Sequence, residues 1–151
     1  MAATDFETEA QAIAGRFASG LVTPPAGYAN IRYSTANAPG AIGPTPAVIV
    51  SVSEGDFDHT SGGGLRQGRR SWWVRFYFDQ TSDLERTEPA LRKWLSVLVY
   101  QLRGAVQLGG IVDEAHIVNW KVGVLAYGGV DYTGIELAVH TATSEGWAAV
   151  S

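Results

Sequence analysis

The stretch Ser71-Trp72-Trp73-Val74-Arg75-Phe76-Tyr77-Phe78-Asp79 limits the possible folds more than any other part of the chain. Side chains alternate across a strand, so Trp72, Val74, Phe76 and Phe78 share one face and Trp73, Arg75, Tyr77 and Asp79 the other. The first face is fully apolar and requires a second layer to cover it. The second is amphipathic and suits an interface better than open water. With 151 residues, 46% of them hydrophobic and 17% charged, the chain is expected to form a single domain, 1–151, with a core that needs no staples.

Two amphipathic helices can supply the covering layer. Over residues 4–20, Phe6, Ala10, Ile13, Ala14, Phe17 and Leu21 form one apolar stripe, with Thr4 and Glu7 as a capping box and Gly20, Pro24 and Pro25 as the stop. A second helix is expected over about 87–103, opened by Thr87-Glu88-Pro89, with Leu91, Trp94, Leu95, Leu98, Leu102 and Val106 at helical spacing. Between the first helix and the first clear strand, residues 22–46 are dense in Pro and Gly and read as an irregular crossing, with Tyr28–Tyr33 as a possible short strand. Ala47–Val52 is β-branched and of strand length. A C-terminal hairpin over about 115–142 turns at Gly128-Gly129, and Ile135, Leu137 and Val139 alternate with Glu136 and His140. The tail Ser144–Ser151 has no pattern beyond Trp147 and is expected to be loosely held or to dock on a partner.

Strands grouped as hairpins point to an α+β fold: a mainly antiparallel twisted sheet of four to five strands with two helices packed on one face. The polar, glycine-rich stretch Ser53–Arg70 lies between two strand signals and reads as a long protruding β-hairpin arm. One limb carries Glu54, Asp56 and Asp58, and the other Arg66, Arg69 and Arg70. Gly62, Gly63 and Gly64 sit at the tip, where flexibility is their best use. Unlike limbs suit head-to-tail contact between identical subunits. The expected subunit or tube interface comprises these nine residues together with Trp73, Arg75 and Tyr77.

No chemical motif competes with that reading. With no cysteine, thiol nucleophiles, Cys-ligated zinc and disulfide scaffolds are excluded. Gly62–Gly64 lead into Leu65-Arg66 rather than Lys-Ser/Thr, so the phosphate-binding loop fails. Asp56-Phe57-Asp58-His59 has the residue types of a cation site but reads as solvated loop charge, and His116 and His140 read as surface or cross-strand histidines. No catalytic, cofactor-binding or metal residue is assigned, and no enzymatic activity is expected. Residues 1–20 lack the cationic start and apolar run of a signal peptide, and no apolar run is long enough to span a bilayer. A net charge of −4 disfavours a sequence-independent grip on nucleic acid.

The order of elements over residues 4–143 resembles the tail terminator proteins of long-tailed, siphovirus-type bacteriophages. The strand Trp72–Asp79 running into the helix Glu88–Arg103 carries most of the likeness. Trp120-Lys121-Val122-Gly123 and Tyr127-Gly128-Gly129-Val130-Asp131-Tyr132-Thr133-Gly134-Ile135-Glu136 add to it. The resemblance implies a virion structural protein that forms a homohexameric ring on the tail tube protein. Such a ring ends tube polymerisation and joins the tail to the head connector or head-closure protein. It implies assembly in the host cytoplasm, residence at the head-proximal end of the tail, and DNA passing through the lumen without specific binding, which a mildly acidic chain favours. Neck and tail-completion proteins of similar fold are the alternative. More distant alternatives are a cone-shaped α+β enzyme or ligand carrier with Trp72, Phe76, Trp94 and Trp120 lining a cavity, and a single-strand nucleic-acid binder using Arg70, Trp72 and Trp73.

Overall fold

The computed structural model describes residues 6–59, 65–103, 108, 112 and 114–146, with residues 54–59, 65–67 and 144–146 as backbone only. Along the chain run α1 (Phe6–Gly15), β1 (Tyr33–Thr35), β2 (Ala47–His59), β3 (Leu65–Asp79), α2 (Leu84–Arg103), β4 (Glu114–Tyr127) and β5 (Val130–Gly146). The strands form one five-stranded sheet in the order β1-β2-β3-β5-β4. Every pairing is antiparallel except β1 with β2. The fold is α+β, as expected, with the alternating face of β3 in the middle of the sheet.

The main core lies between the helices and one face of the sheet. Val48 and Val50 of β2, Trp72, Val74 and Phe76 of β3, and Ile135, Leu137 and Val139 of β5 meet Ile13 and Ala14 of α1 and Leu91, Trp94, Leu98 and Leu102 of α2. Phe76 and Trp94 rings lie 4.8 Å apart across this layer. A smaller core forms on the opposite face from Ile42, Ala47, Ile49, Tyr77, Leu125 and Tyr132.

Both helices differ from the sequence expectation at one end. Helical hydrogen bonding in α1 ends at Gly15, a poor helix former, and the chain tightens into i−3 bonds such as Phe17 N–H to the Ala14 carbonyl at 3.1 Å. Phe17 and Val22 remain buried, so the apolar stripe outlasts the helix. Side chains from elsewhere add bonds at this end of the helix: the Ser34 hydroxyl donates to Ala14 O at 2.7 Å and the Gln101 amide to Arg16 O at 2.7 Å. Thr4, the expected cap, lies outside the described residues. Helix α2 starts before Thr87 because Asp83 is its cap, accepting from the Arg86 N–H at 3.1 Å. Pro89 therefore sits inside the helix rather than in its first turn, and removes the N–H that would have bonded the Glu85 carbonyl.

The β-elements also extend beyond the expected limits. The short strand is Tyr33–Thr35 rather than Tyr28–Tyr33, and it pairs with β2 as Tyr33↔Ala47 to Thr35↔Ile49. Strands β2 and β3 stay paired out to His59↔Arg66, past a register shift between Val52 and Glu54. On the other side of β3, β5 pairs as far as Leu65↔Gly146. The described backbone of Ser53–Arg70 is thus the end of a three-stranded sheet, not a free two-stranded arm. The tip glycines 62–64 lie outside the described residues. Ser144–Gly146, expected to be loose, are part of β5.

The C-terminal hairpin turns at Gly128 and Gly129 with φ of +59° and +80°, and Tyr127↔Val130 closes it. Two consecutive positive φ values are what a two-residue hairpin matched to strand twist requires. Gly134 is constrained by space instead: a Cβ there would lie 2.1 Å from the Phe76 carbonyl oxygen. Gly134→Ala is expected to destabilise the protein by about 2–4 kcal/mol, because the obstacle is backbone in the central strand pair. Urea denaturation of the variant measures this, and a change below about 0.5 kcal/mol would contradict the close approach.

Candidate functional site

Two groups of polar residues stand out, one inside the molecule and one on the helix-free face of the sheet. The inner group centres on Glu9, which is 0% exposed on the stripe of α1 that faces the sheet. The Arg70 guanidinium donates to Glu9 Oε2 at 2.7 Å and to the Thr143 hydroxyl at 3.1 Å. The Trp72 indole N–H is shared between Glu9 Oε1 at 2.9 Å and the Thr141 hydroxyl at 3.1 Å. Thr141 in turn donates to Glu9 Oε1. Phe6 closes one side, with the Arg70 guanidinium 4.4 Å from its ring centroid.

This arrangement removes Arg70 from the expected interface set, since it is 5% exposed and committed within the fold. Its position is a consequence of alternation: Arg70, Trp72, Val74 and Phe76 occupy the same face of β3. Placing Arg70 on a separate arm hid that parity. Burying a carboxylate and a guanidinium is costly, and the cost is offset only when both are paired and hydrogen-bonded, as here. Removing one partner leaves the other charge buried. Glu9→Ala is therefore expected to cost about 3–5 kcal/mol of stability in urea denaturation. A loss below about 1 kcal/mol would show that the pair carries no such weight.

The helix-free face carries Trp73, Arg75 and Tyr77. Arg75 Nε pairs with Glu136 Oε2 on the neighbouring β5 at 2.7 Å, and both are part-exposed. The Arg75 guanidinium also lies 5.6 Å from the Trp73 ring centroid. A cleft over this pair is lined by Ala38, Ile49, Ser51, Tyr77, Val124 and Tyr127, among others. His116 and His140 are exposed and face each other across β4 and β5, with ring centroids 6.4 Å apart. Trp73 and Arg75 thus occupy the open, amphipathic face expected of them.

Tyr77 does not, being 2% exposed and enclosed by Tyr127 and Tyr132, whose ring centroids are 5.7 Å and 5.6 Å away. Contacts from distant parts of the chain cover this end of the face. Burial pushes Tyr77 ionisation above its ordinary value of 10.0; Arg75 opposes the shift, and Tyr127, Glu136 and Tyr132 add to it. A folded-state value above the unfolded one means that its stabilising effect is complete below pH 10.0 and is lost as pH rises through the folded value. Wild type should therefore lose stability as pH rises above 10.0 in urea denaturation, and Tyr77→Phe should lose measurably less. Identical losses in the two proteins would contradict the assignment.

The other expected interface residues are placed only in part. Backbone register sets Asp56 opposite Arg69, Asp58 opposite Gln67 and His59 opposite Arg66. Arg69 is exposed. The side chains of Glu54, Asp56, Asp58 and Arg66, and all of Gly62–Gly64, lie outside what is described.

A third surface had no counterpart in the sequence expectations. Beside β4, an apolar groove of about 210 Å³ is lined by Val99, Leu102, Arg103, Ala115, His116, Ile117, Val118 and Trp120. Trp120 is 60% exposed and Tyr100, on the outer face of α2, is 79% exposed. A further depression between them includes Leu95, Ser96 and Val99. The sequence signal was present: Tyr100 falls off the buried stripe of α2, and Trp120 lies on an edge strand beside a register irregularity between Ile117 and Asn119. Models of known protein families and curated proteins give no match to this chain.

Proposed function

We propose that this chain is a tail terminator of a long-tailed bacteriophage, a structural protein that forms a ring on the head-proximal end of the tail tube. The observation that carries the reading is the pair of unlike surfaces left open on one sheet. An apolar groove with exposed Tyr100 and Trp120 lies on the helix side, and a charged, amphipathic face with Trp73, Arg75 and Glu136 lies on the other. Unlike patches that bind each other make head-to-tail contacts, and those close into rings when the rotation per subunit permits. The strand β3 followed by α2 and a C-terminal hairpin, the part of the element order that carries most of the family resemblance, supports this reading.

In this reading the ring stops tube growth by occupying the last tube subunits and offers its far side to the head connector. Its partners are further copies of itself, the tube protein and the connector, with DNA passing through the lumen. It works in the host cytoplasm during assembly and remains in the virion. Among the described residues, no helix is long and apolar enough to cross a membrane.

The two more distant readings, a ligand-enclosing cone and a single-strand nucleic-acid binder, lose their named residues. Trp72, Phe76 and Trp94 are core residues at 2%, 0% and 0% exposure, while Trp120 is at the surface, so the four do not line one cavity. Arg70 and Trp72 are bonded to Glu9 and are not available to stack on or pair with a nucleic-acid strand.

Negative-stain microscopy of the purified chain, alone and mixed with polymerising tail tube protein, tests the proposal. Six-fold rings and tubes capped at one end are the expected result. A chain that neither forms rings nor alters tube length would overturn it.

A further inference from the structure

We propose that His116 and His140 form a two-imidazole site for a divalent ion of the nickel, copper and zinc group. The site is independent of the ring reading. The two residues are direct partners in the β4–β5 pairing, so adjacent strands present their side chains side by side. Their ring centroids lie 6.4 Å apart with the planes at 57°, and both residues are exposed. Neither ring makes a hydrogen bond or ion pair among the described residues, so no existing bond has to break before the nitrogens take an ion.

The surroundings leave room for the ion and its waters. Ala138 and Ala142 flank His140 on the same side of β5 and stop at Cβ, and Ser71 of β3 lies opposite His140. β4 is the edge strand, so no described strand stands on the far side of His116. In the next row of the sheet, Arg69 and Glu114 oppose Ala142 from either side and offset each other in charge. Among the described residues no third His, Cys, Asp or Glu completes a cluster, so water fills the other coordination positions. Imidazole nitrogen suits these borderline ions, whereas magnesium and calcium prefer oxygen.

The backbone brings the two ligands close to bonding geometry. A tetrahedral ion about 2.0–2.1 Å from each nitrogen holds two imidazole centroids roughly 5 Å apart, so closure by about 1 Å is enough. Small rotations of two exposed side chains supply it. Because the strand pair already holds both rings, the second nitrogen binds in an intramolecular step, and the pair outbinds either histidine alone. β4 is held to the sheet only through β5, and their pairing is irregular between Ile117 and Asn119, just past His116. An ion shared by His116 and His140 ties the edge strand to its neighbour beside that irregularity.

Calorimetric titration of the untagged full-length chain with zinc chloride tests the site, with magnesium chloride as the control ion. One zinc ion per chain is expected. His116→Gln and His140→Gln should each weaken zinc binding at least about ten-fold, while His59→Gln, at the third histidine of the chain, should leave it unchanged. In a second measurement, hydrogen exchange of peptides covering residues 114–120 should slow with zinc in wild type and not in His116→Gln. No zinc binding up to about 1 mM, or equal affinity in wild type and both variants, would overturn the proposal. So would exchange at residues 114–120 that zinc leaves unchanged in wild type.

Discussion

The buried ion pair between Glu9 and Arg70 is the constraint around which this fold is arranged. It is the one described point at which α1, β3 and β5 meet through charge, and its two ions are the main charged groups in the interior. A carboxylate enclosed by a guanidinium, an indole N–H and a threonine hydroxyl has its acceptor sites filled from fixed directions. Apolar packing tolerates sliding and rotation, whereas these bonds do not, so α1 is held to one register on the sheet. The same bonds fix the far ends of β3 and β5, where the apolar core gives way to Arg70, Thr141 and Thr143.

The cluster and the groove beside β4 are neighbours: Thr141, which donates to Glu9, pairs with Ala115, a wall of the groove. Charges that looked like surface recognition are, for Arg70, internal architecture. Open amphipathic contact is left to Trp73 and Arg75, and apolar contact to Tyr100 and Trp120.

Much of the architecture was legible in local periodicity. Alternation along Trp72–Phe78 gave β3 its core face, the spacing of Leu91, Trp94, Leu98 and Leu102 gave α2 its buried side, and Gly128-Gly129 marked the hairpin turn. Failures had specific causes. Taking Pro89 as a first-turn proline hid Asp83 as the true cap. Treating Ser53–Arg70 as an arm interrupted the count that puts Arg70 with Trp72. Glu9 lies on the α1 stripe, three residues after Phe6 and four before Ile13, but a charged residue is rarely fully buried without a partner. Its partners are 61 and 63 residues distant, which no local pattern discloses. The burial of Tyr77 likewise depends on Tyr127 and Tyr132 arriving from another hairpin.

Hydrogen exchange of the Glu9→Gln variant, followed by mass spectrometry, tests the organising role of this cluster most directly. The substitution keeps side-chain volume and removes the charge. Peptides covering α1 and residues 141–146 should lose protection together, while those covering the hairpin turn around 128–135 should exchange as in wild type. Unchanged protection at residues 141–146, or a uniform loss across the whole sheet, would contradict the claim that Glu9 ties α1 to the outer ends of β3 and β5.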